Sequence, residues 1–342
     1  MKPLKSFKIG NKKISSDGPT YIIAEIGVNH GGSINNCKKL IKAAYKSGAD
    51  AVKLQIVDPE NSYDKNHPSF EVFKNKNFNF KELKDLIKFS QNLGITLFAT
   101  PGDFHSLKKI MKLKMPAIKI SSGLLTNLPL IKEATRKKIP IILSTGMAFK
   151  NEIVDAINIC KKKTNKICIL KCTSIYPAPI DKINLRAIQS FKKKFNVPIG
   201  YSDHTLGIHT CISAIVAGAT VIEKHFTLNR NKKGADHHIS IEPKEFKKMV
   251  DKIRKTEKLL GKDTISPTKE EIKLRYKFHR KIVSLKKINK GDKLSLENLC
   301  LKRTNSKIKG LPPKKLFDLI GKISLRNIKQ DKIISNKDLT NI

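Results

Sequence analysis

VPIGYSDH, residues 197–204, is a short apolar run that ends on a histidine, and ATVIEKH, residues 219–225, ends in the same way. Both runs have the length and composition of β-strands. Imidazole is the commonest metal ligand in proteins, so His204 and His225 indicate a metal site, provided that the two strands belong to one sheet. For a histidine pair without further context, hydrogen-bonded core side chains are the commoner alternative.

The same unit recurs along residues 1–262: an apolar run of strand length, a Gly, Ser or Thr break, and an amphipathic helical pattern. The runs are YIIAEIG (21–27), AVKLQIV (51–57), ITLFATP (95–101), AIKISSG (117–123), PIILSTG (140–146), ICILKCT (167–173), VPIGYSD (197–203) and TVIEKHF (220–226). Rich in Ile and Val and apolar on both faces, they are typical of a parallel sheet covered by helices. Eight such units predict a TIM (β/α)8 barrel. An open doubly wound sheet is the alternative, although it rarely needs eight consecutive units.

Polar side chains cluster at the C-terminal ends of these predicted strands, where TIM barrels carry their active sites. In strand order they are Glu25; Lys53 and Gln55; Thr100; Lys119, Ser121 and Ser122; Ser144 and Thr145; Thr173, Ser174 and Tyr176; Ser202, Asp203 and His204; Glu223 and His225. Lys53, Gln55 and Lys119 are unusual, because a charged or amide group in an apolar strand is costly unless it is paired or faces a ligand. Buried polar networks at the barrel mouth are the alternative explanation.

Further motifs surround these strand ends. They are AEIGVNHGG (24–32), KLQ (53–55), KISSG (119–123), TNLPL (126–130), LSTGMA (143–148), CTSIYPAP (172–179), GYSDHTLG (200–207), GATVIEKHFTL (218–228) and GADHHIS (234–240). Together they resemble the NeuB-type sialic acid synthases over essentially the whole chain. The resemblance implies condensation of phosphoenolpyruvate with N-acetylmannosamine, or a related N-acetylated amino sugar, to give N-acetylneuraminate or a related nonulosonic acid plus phosphate. It also implies a divalent metal, usually Mn2+, with Mg2+ or Co2+ as alternatives.

The resemblance also implies a role for each candidate site residue. His204 and His225 would bind the metal, and Glu25 would act as a base or proton shuttle for the attacking water. The positions expected to hold the phosphate and carboxylate of phosphoenolpyruvate are Lys53, Lys119, Ser122, Ser144, Ser174 and Ser202, and Thr100 is a further substrate-binding candidate. Gln55, Tyr176 and Asp236 match residues that face the sugar or surround the metal. His30 is expected to line the same site.

The sequence pattern changes after Gly261. We divide the chain into a barrel (1–262), a linker with one short helix (263–279) and a C-terminal domain (280–342). The C-terminal domain has short strand patterns and resembles the antifreeze-like (SAF, β-clip) domain that ends the sialic acid synthases. The resemblance implies a domain-swapped homodimer, in which this domain reaches over the barrel mouth of the partner subunit. Arg303 matches an arginine that touches the sugar.

The chain departs from the family pattern at two places that bear on the sugar. Thr304 and Asn305 replace the usual Pro-Gly after Arg303, which puts the sugar contact of Arg303 in question. Leu124 stands where the family generally carries a glutamate. The absence of this glutamate removes an acceptor for sugar hydroxyl or amide groups. N-acetylmannosamine remains the default acceptor, and the 6-deoxy diacetamido sugars of legionaminic or pseudaminic acid synthesis are the alternatives.

Composition argues against other classes of protein. The net charge of +40 favours nucleic-acid or membrane-surface binding, but lysines are spread along nearly every helix and no nucleic-acid motif is present. The six cysteines lack metal-type spacing and are expected to be reduced. We find neither an apolar core of signal-peptide length nor a stretch that approaches a membrane span, so we expect a cytoplasmic protein.

Two other functions stay open at the level of sequence. Barrel aldolases use a strand-borne lysine as a Schiff base, and Lys119 or Lys171 would supply it. A non-catalytic binding protein is the other alternative, acting through the C-terminal domain or the basic surface. The presence of His204, His225, Lys53 and Lys119 argues against lost catalysis.

Overall fold

Eight parallel strands close into a barrel in the first of two compact units, Met1–Gly261 and Lys262–Ile342. The structure is a computed structural model that describes residues 5–234 and 236–339. A hairpin of β1 (Ser6–Ile9) and β2 (Lys12–Ser15) precedes the barrel. The barrel strands are β3 (Tyr21–Gly27), β4 (Ala51–Ile56), β5 (Thr96–Pro101), β6 (Ile118–Ile120), β7 (Ile141–Ser144), β8 (Ile167–Cys172), β9 (Ile199–Asp203) and β10 (Val221–His225). They pair in chain order, and β10 pairs with β3, which confirms the predicted TIM barrel.

Helices follow the strands, and most of them bury an apolar face against the outside of the barrel. They are α1 (Ile34–Lys46), α2 (Pro59–Ser62), α3 (Pro68–Phe73), α4 (Phe80–Leu93), α5 (Phe104–Lys112), α6 (Leu128–Ala134), α7 (Lys150–Lys161), α8 (Ala187–Lys194), α9 (His209–Val216) and α10 (Pro243–Leu260). Local sequence sets their ends. In α4, Asn79 and Glu82 form a capping box, and Gly94 ends the helix at a φ of 79°, which glycine adopts without steric cost.

The interior of the barrel near the strand starts is filled by apolar side chains. This apolar layer comprises Phe7, Ile9 and Ile14 of the hairpin together with Tyr21, Ile23, Ala51, Phe98, Ala117, Ile142, Cys168, Leu170 and Val221 of the strands. The hairpin therefore covers the N-terminal end of the barrel, and ligands have access to the interior from the C-terminal end.

The fourth barrel strand is shorter than its sequence predicts. The apolar run extends to Gly123, but β6 ends at Ile120 and Ser122–Leu124 form one turn of 3-10 helix. The Ser122 hydroxyl accepts a hydrogen bond from the Gly146 amide at 3.0 Å, so this turn is fixed to the loop after β7. The turn places Ser122 and Leu124 at the barrel mouth.

The second unit has its own core and one antiparallel ladder. It contains α11 (Lys269–Phe278), β11 (Arg280–Ser284), β12 (Leu299–Arg303) and α12 (Leu316–Leu319). Its core consists of Ile282, Ile288, Leu294, Leu299, Leu316, Leu319, Ile328, Ile334 and Leu339. Thr268 caps α11, which is the short helix predicted in the linker. Within residues 5–234 and 236–339, every helix is too short or too polar to cross a membrane.

Candidate active site

Four buried ionisable residues form a charged cluster inside the barrel: Glu25, Lys53, Lys119 and Glu223. The Lys53 ammonium lies 2.7 Å from Glu25 Oε2 and 3.7 Å from Glu223 Oε1. Lys119 donates to Glu223 Oε1 at 3.1 Å. The cluster alternates in sign, so each charge has an opposite neighbour, without which its burial would cost several kcal/mol.

Strand alternation explains why the charged cluster lies here. Successive side chains of a strand point to opposite faces, so every second residue of a barrel strand points inward. Glu25 therefore follows Ile23 on the inner face of β3, and Glu223 follows Val221 on that of β10. The cluster lies directly above the apolar layer, and all four side chains are at most 5% exposed.

The ion pairs give the two carboxyl groups different pKa values. Burial raises the pKa of Glu25 to about 7, because Lys53 offsets only part of the desolvation. Burial would also raise the pKa of Glu223, but Lys119 and Lys53 outweigh it and hold that pKa at about 2. Glu223 is therefore a permanent anion near neutral pH, whereas Glu25 can exchange a proton.

Hydroxyl groups surround the charged cluster. Thr100 accepts a hydrogen bond from Lys53 at 3.1 Å, and Ser202 donates to Glu223 at 3.0 Å. Ser144 Oγ is buried and has no hydrogen-bond partner within the described residues. Ser174 Oγ lies 3.9 Å from Cys172 Sγ. Two lysines and several hydroxyl groups at one barrel mouth match the needs of a small phosphate-bearing anion.

His204 and His225 lie together at the ends of β9 and β10, with ring centroids 5.3 Å apart. His204 Nδ1 donates to the Thr173 carbonyl at 2.7 Å, since a carbonyl can only accept, and in the neutral imidazole this leaves the lone pair on Nε2. Tyr176 stacks on the His204 ring at 4.1 Å. Asp236 lies 3.4 Å from His225 Nδ1, which is longer than a normal hydrogen bond.

Comparison with known proteins places the chain in a family. The model of the NeuB family matches residues 40–264, and that of the SAF domain matches residues 279–340. The chain belongs to the NeuB family. This confirms the resemblance inferred from the motifs, including the antifreeze-like domain.

Named relatives extend over nearly the full length of this NeuB family member. It is 38% identical to N,N'-diacetyllegionaminic acid synthase of Campylobacter jejuni, over 92% of this chain and 98% of that protein. It is 31% identical to human N-acetylneuraminate-9-phosphate synthase, over 99% and 98% of the two chains. The solved structure of N-acetylneuraminic acid synthetase from Leptospira borgpetersenii is 37% identical, with a TM-score of 0.76 over 80% of this chain and 97% of that one.

The histidine pair of this NeuB family member fits a divalent cation. His225 Nδ1 is buried and has no hydrogen-bond partner among the described residues. Burial, with the neighbouring cations, holds the pKa of His225 well below its usual range, and a ligating imidazole must be neutral. No group of three His, Cys, Asp or Glu side chains within residues 5–234 and 236–339 has metal-binding geometry. The chain would therefore supply two imidazoles, and water or substrate oxygen would supply the remaining ligands.

A cavity of about 290 Å³ opens beside Gln55 and Thr100 at the mouth. Gln55 donates to Glu25 Oε1 at 3.0 Å, which connects the cavity with the charged cluster. The walls include Val57, Tyr63, Phe73 and Leu124. The cavity therefore combines the polar groups of Gln55, Thr100, Ser62 and Ser121 with these largely apolar walls.

Two predicted residues of the barrel point away from this site. Asp203 was expected at the mouth, but it points outward and pairs with Lys224 behind the sheet, because it lies one residue out of phase with His204. Lys171 also leaves the interior, since it donates to the Thr173 hydroxyl at 2.7 Å and to the Cys172 carbonyl. Arg303 ends β12 in the second unit, where it lies 5.9 Å from the Phe278 ring.

Glu223 contributes more to the site than sequence analysis assigned to it, and the surroundings of His30 are now defined. The sequence identifies Glu223 only as a polar strand residue, yet in the structure it lies within ion-pair distance of both lysines. Its two-residue spacing from His225 was the available signal, since that spacing places both on the inner face. His30 is buried and stacks on Phe78 at 4.4 Å, while its Nδ1 accepts from the Gly32 amide at 3.0 Å.

Proposed function

We propose that the protein is a nonulosonic acid synthase that condenses phosphoenolpyruvate with an N-acetylated amino sugar and water and releases phosphate. The observation that carries this proposal is the charged cluster with two buried lysines at the same barrel mouth as the histidine pair. The names of its NeuB family relatives support the same reaction class.

In this reaction the methylene carbon of phosphoenolpyruvate attacks the aldehyde carbon of the open-chain sugar. Water adds to the resulting cationic carbon, and the tetrahedral intermediate releases phosphate by breaking its carbon–oxygen bond. Lys53 and Lys119 would hold the phosphate and carboxylate groups, together with the surrounding Thr100, Ser122, Ser144, Ser174 and Ser202. Glu25 would take the proton of the attacking water, a role that suits a carboxyl with a pKa of about 7.

His204 and His225 would bind the divalent metal, for which we propose Mn2+, with Mg2+ or Co2+ as alternatives. When bound, such an ion supplies Lewis acidity towards the aldehyde oxygen. Tyr176 holds the His204 ring in place by stacking, and Asp236 lies beside His225. Both would also contact the sugar or metal-bound water.

The acceptor is the finer part of the proposal. N-acetylmannosamine is the default, since it is the sugar implied by the family resemblance. The apolar walls at Val57, Tyr63, Phe73 and Leu124 favour the second candidate, a 6-deoxy diacetamido sugar, because a methyl group loses less than a hydroxyl on entering an apolar pocket. The relative from Campylobacter jejuni, a diacetyllegionaminic acid synthase, agrees with this second candidate.

We further propose a cytoplasmic homodimer in which the SAF domain of each chain covers the mouth of the other barrel. Arg303 of the partner subunit would then reach the sugar. Substituting Arg303→Ala tests this contact: KM for the sugar should rise while KM for phosphoenolpyruvate stays unchanged. Equal KM values for the sugar in both proteins would remove Arg303 from the site.

Phosphate release measured over a panel of amino sugars tests the function. The panel should pair N-acetylmannosamine with 6-deoxy diacetamido hexoses, each with phosphoenolpyruvate and Mn2+, and with EDTA as the control. Sugar-dependent, EDTA-sensitive release is the expected result. Trapping of the protein by borohydride without phosphate release would instead favour an aldolase that uses Lys119. Salt-sensitive DNA binding without any turnover would favour a binding protein.

A further inference from the structure

A buried ion pair lies on the outer side of the sheet, behind the histidines. Lys224 Nζ is 2.7 Å from Asp203 Oδ2, and both side chains are 0% exposed. Lys224 also donates to the Thr205 carbonyl, in the loop that follows β9. The pair thus connects the last residue of β9, the next loop and β10.

The Asp203 carboxylate accepts more hydrogen bonds than a single ion pair needs. Its other donors are the Tyr201 hydroxyl at 2.9 Å, the Thr205 amide at 3.0 Å, the Thr205 hydroxyl at 3.2 Å, the Thr210 hydroxyl at 2.9 Å and the Cys211 thiol at 3.2 Å. Thr210 and Cys211 belong to α9. Asp203 is therefore held from its own strand, from the loop and from the helix, so its position is fixed in several directions.

The pair lies one residue away from each histidine. Asp203 and Lys224 are register partners on adjacent strands. His204 and His225 follow them directly, and successive residues of a strand point to opposite faces. A shift of one strand end relative to the other would therefore break the ion pair outside and change the separation of the two imidazoles inside.

Stability alone is a weak reason for this arrangement. A buried ion pair is usually no more stabilising than apolar side chains of the same volume, because both charges lose their hydration. Its advantage is geometric, because the ion pair and its hydrogen bonds can all form in only one arrangement of the two strand ends. We infer that Asp203 and Lys224 are positioning residues, which set the separation and orientation of His204 and His225 for one divalent cation. This inference rests on the metal assignment of the proposed function.

Mn2+ binding without substrates tests the inference. The double variant Asp203→Asn/Lys224→Met removes both charges at nearly constant volume. Its Kd for Mn2+, read from the electron paramagnetic resonance signal of the free ion, should rise about 10–100-fold, the usual effect of losing groups that orient metal ligands. Circular dichroism should show a native fold. A Kd equal to that of the wild type would overturn the inference.

A matched control comes from the other end of the barrel. Arg254→Met removes the ion pair between Arg254 and Asp50, which lie 3.2 Å apart near the strand starts, and it should leave the Kd for Mn2+ unchanged. An equal loss of Mn2+ affinity in this control would show that any broken ion pair has the effect, and would also overturn the inference.

The variant His225→Ala tests the metal assignment separately from the positioning role of Asp203 and Lys224. If the wild type binds Mn2+ and His225→Ala does not, the metal assignment holds and the double variant decides the positioning role. If wild type and His225→Ala bind alike, the metal assignment itself fails. Should the double variant not fold, Thr210→Val removes one donor to Asp203 at constant volume. It should weaken Mn2+ binding about threefold, the order of one hydrogen bond, and unchanged binding would overturn the inference.

Discussion

The interior of the barrel contains two layers, and on four of the strands they lie two residues apart. Ile23, Ala51, Ala117 and Val221 lie in the apolar layer near the strand starts. Two residues further along the same strands are Glu25, Lys53, Lys119 and Glu223. These four strands thus contribute apolar side chains below and charged side chains above.

The difference shows how a TIM barrel separates stability from chemistry. The apolar layer gains free energy by removing side chains from water. The charged cluster only offsets the cost of burying its own charges, so stability does not explain its composition. Substitutions in the lower layer should therefore change unfolding, and substitutions at or above the charged cluster should change turnover.

His225→Ala tests this separation from the functional end. Activity should fall about a thousandfold or more, because Lewis-acid stabilisation is worth several kcal/mol, while the melting temperature changes little. Steady-state phosphate release and calorimetry measure the two effects. His105→Ala, on the exposed side of α5, is the matched control and should keep full activity. Wild-type turnover in His225→Ala would remove the metal assignment.

Ile9→Ala tests the separation from the structural end. Ile9 is 0% exposed in the apolar layer, so its truncation should lower the free energy of unfolding by about 2–5 kcal/mol. The kcat of the folded protein should stay unchanged. Denaturant unfolding measures the loss, and Lys8→Ala on the exposed face of β1 should change stability by less than about 0.5 kcal/mol. A large drop in kcat for Ile9→Ala would show that the layers are coupled.

Glu25→Gln tests the role of one carboxyl group within the charged cluster. Burial raises the pKa of Glu25 to about 7, and a base acts in its deprotonated form. The kcat/KM for phosphoenolpyruvate should therefore be highest above pH 7 and fall as the pH drops through that value. The Gln variant should be about 100-fold slower and lack this dependence. A pH profile of unchanged shape in the variant would assign the titration to another group.

Leu124→Glu tests the rim above the charged cluster, where we expect the smallest effect. A carboxylate among the apolar walls should favour the more polar sugar, N-acetylmannosamine, over a 6-deoxy diacetamido sugar by about tenfold in relative kcat/KM. Competition between the two sugars measures the ratio. Leu124→Gln has similar length without charge and should shift the ratio less. An unchanged ratio would place the sugar's distal end away from Leu124.

The sequence was sufficient to predict the barrel and most of its mouth. Eight apolar runs predicted the strands, and the polar residues that follow them identified Lys53, Lys119 and the histidine pair. The inward or outward direction of individual side chains was missed, as Asp203 shows. The direction of a side chain depends on the register of its strand, and a shift of one residue reverses that direction. A list of residues near a strand end therefore does not determine which side chains point inward.

Two further features depend on tertiary contacts. The end of β6 at Ile120 follows from the turn at Ser122–Leu124 and its hydrogen bond to Gly146, which lies on another loop. The position of the hairpin under the barrel depends on Phe7, Ile9 and Ile14 meeting side chains from most of the barrel strands. The local sequence does not identify these distant contact partners.

The pairing of β10 with β3 has a consequence for synthesis on the ribosome. Residues from opposite ends of the barrel sequence must meet before the ring can close, and such distant pairings form late in folding. His225 is the last residue of β10, opposite Glu25 on β3. A nascent chain therefore acquires its second imidazole only with the strand that completes the ring. Cation binding by the histidine pair, as proposed above, would then require the closed ring of strands.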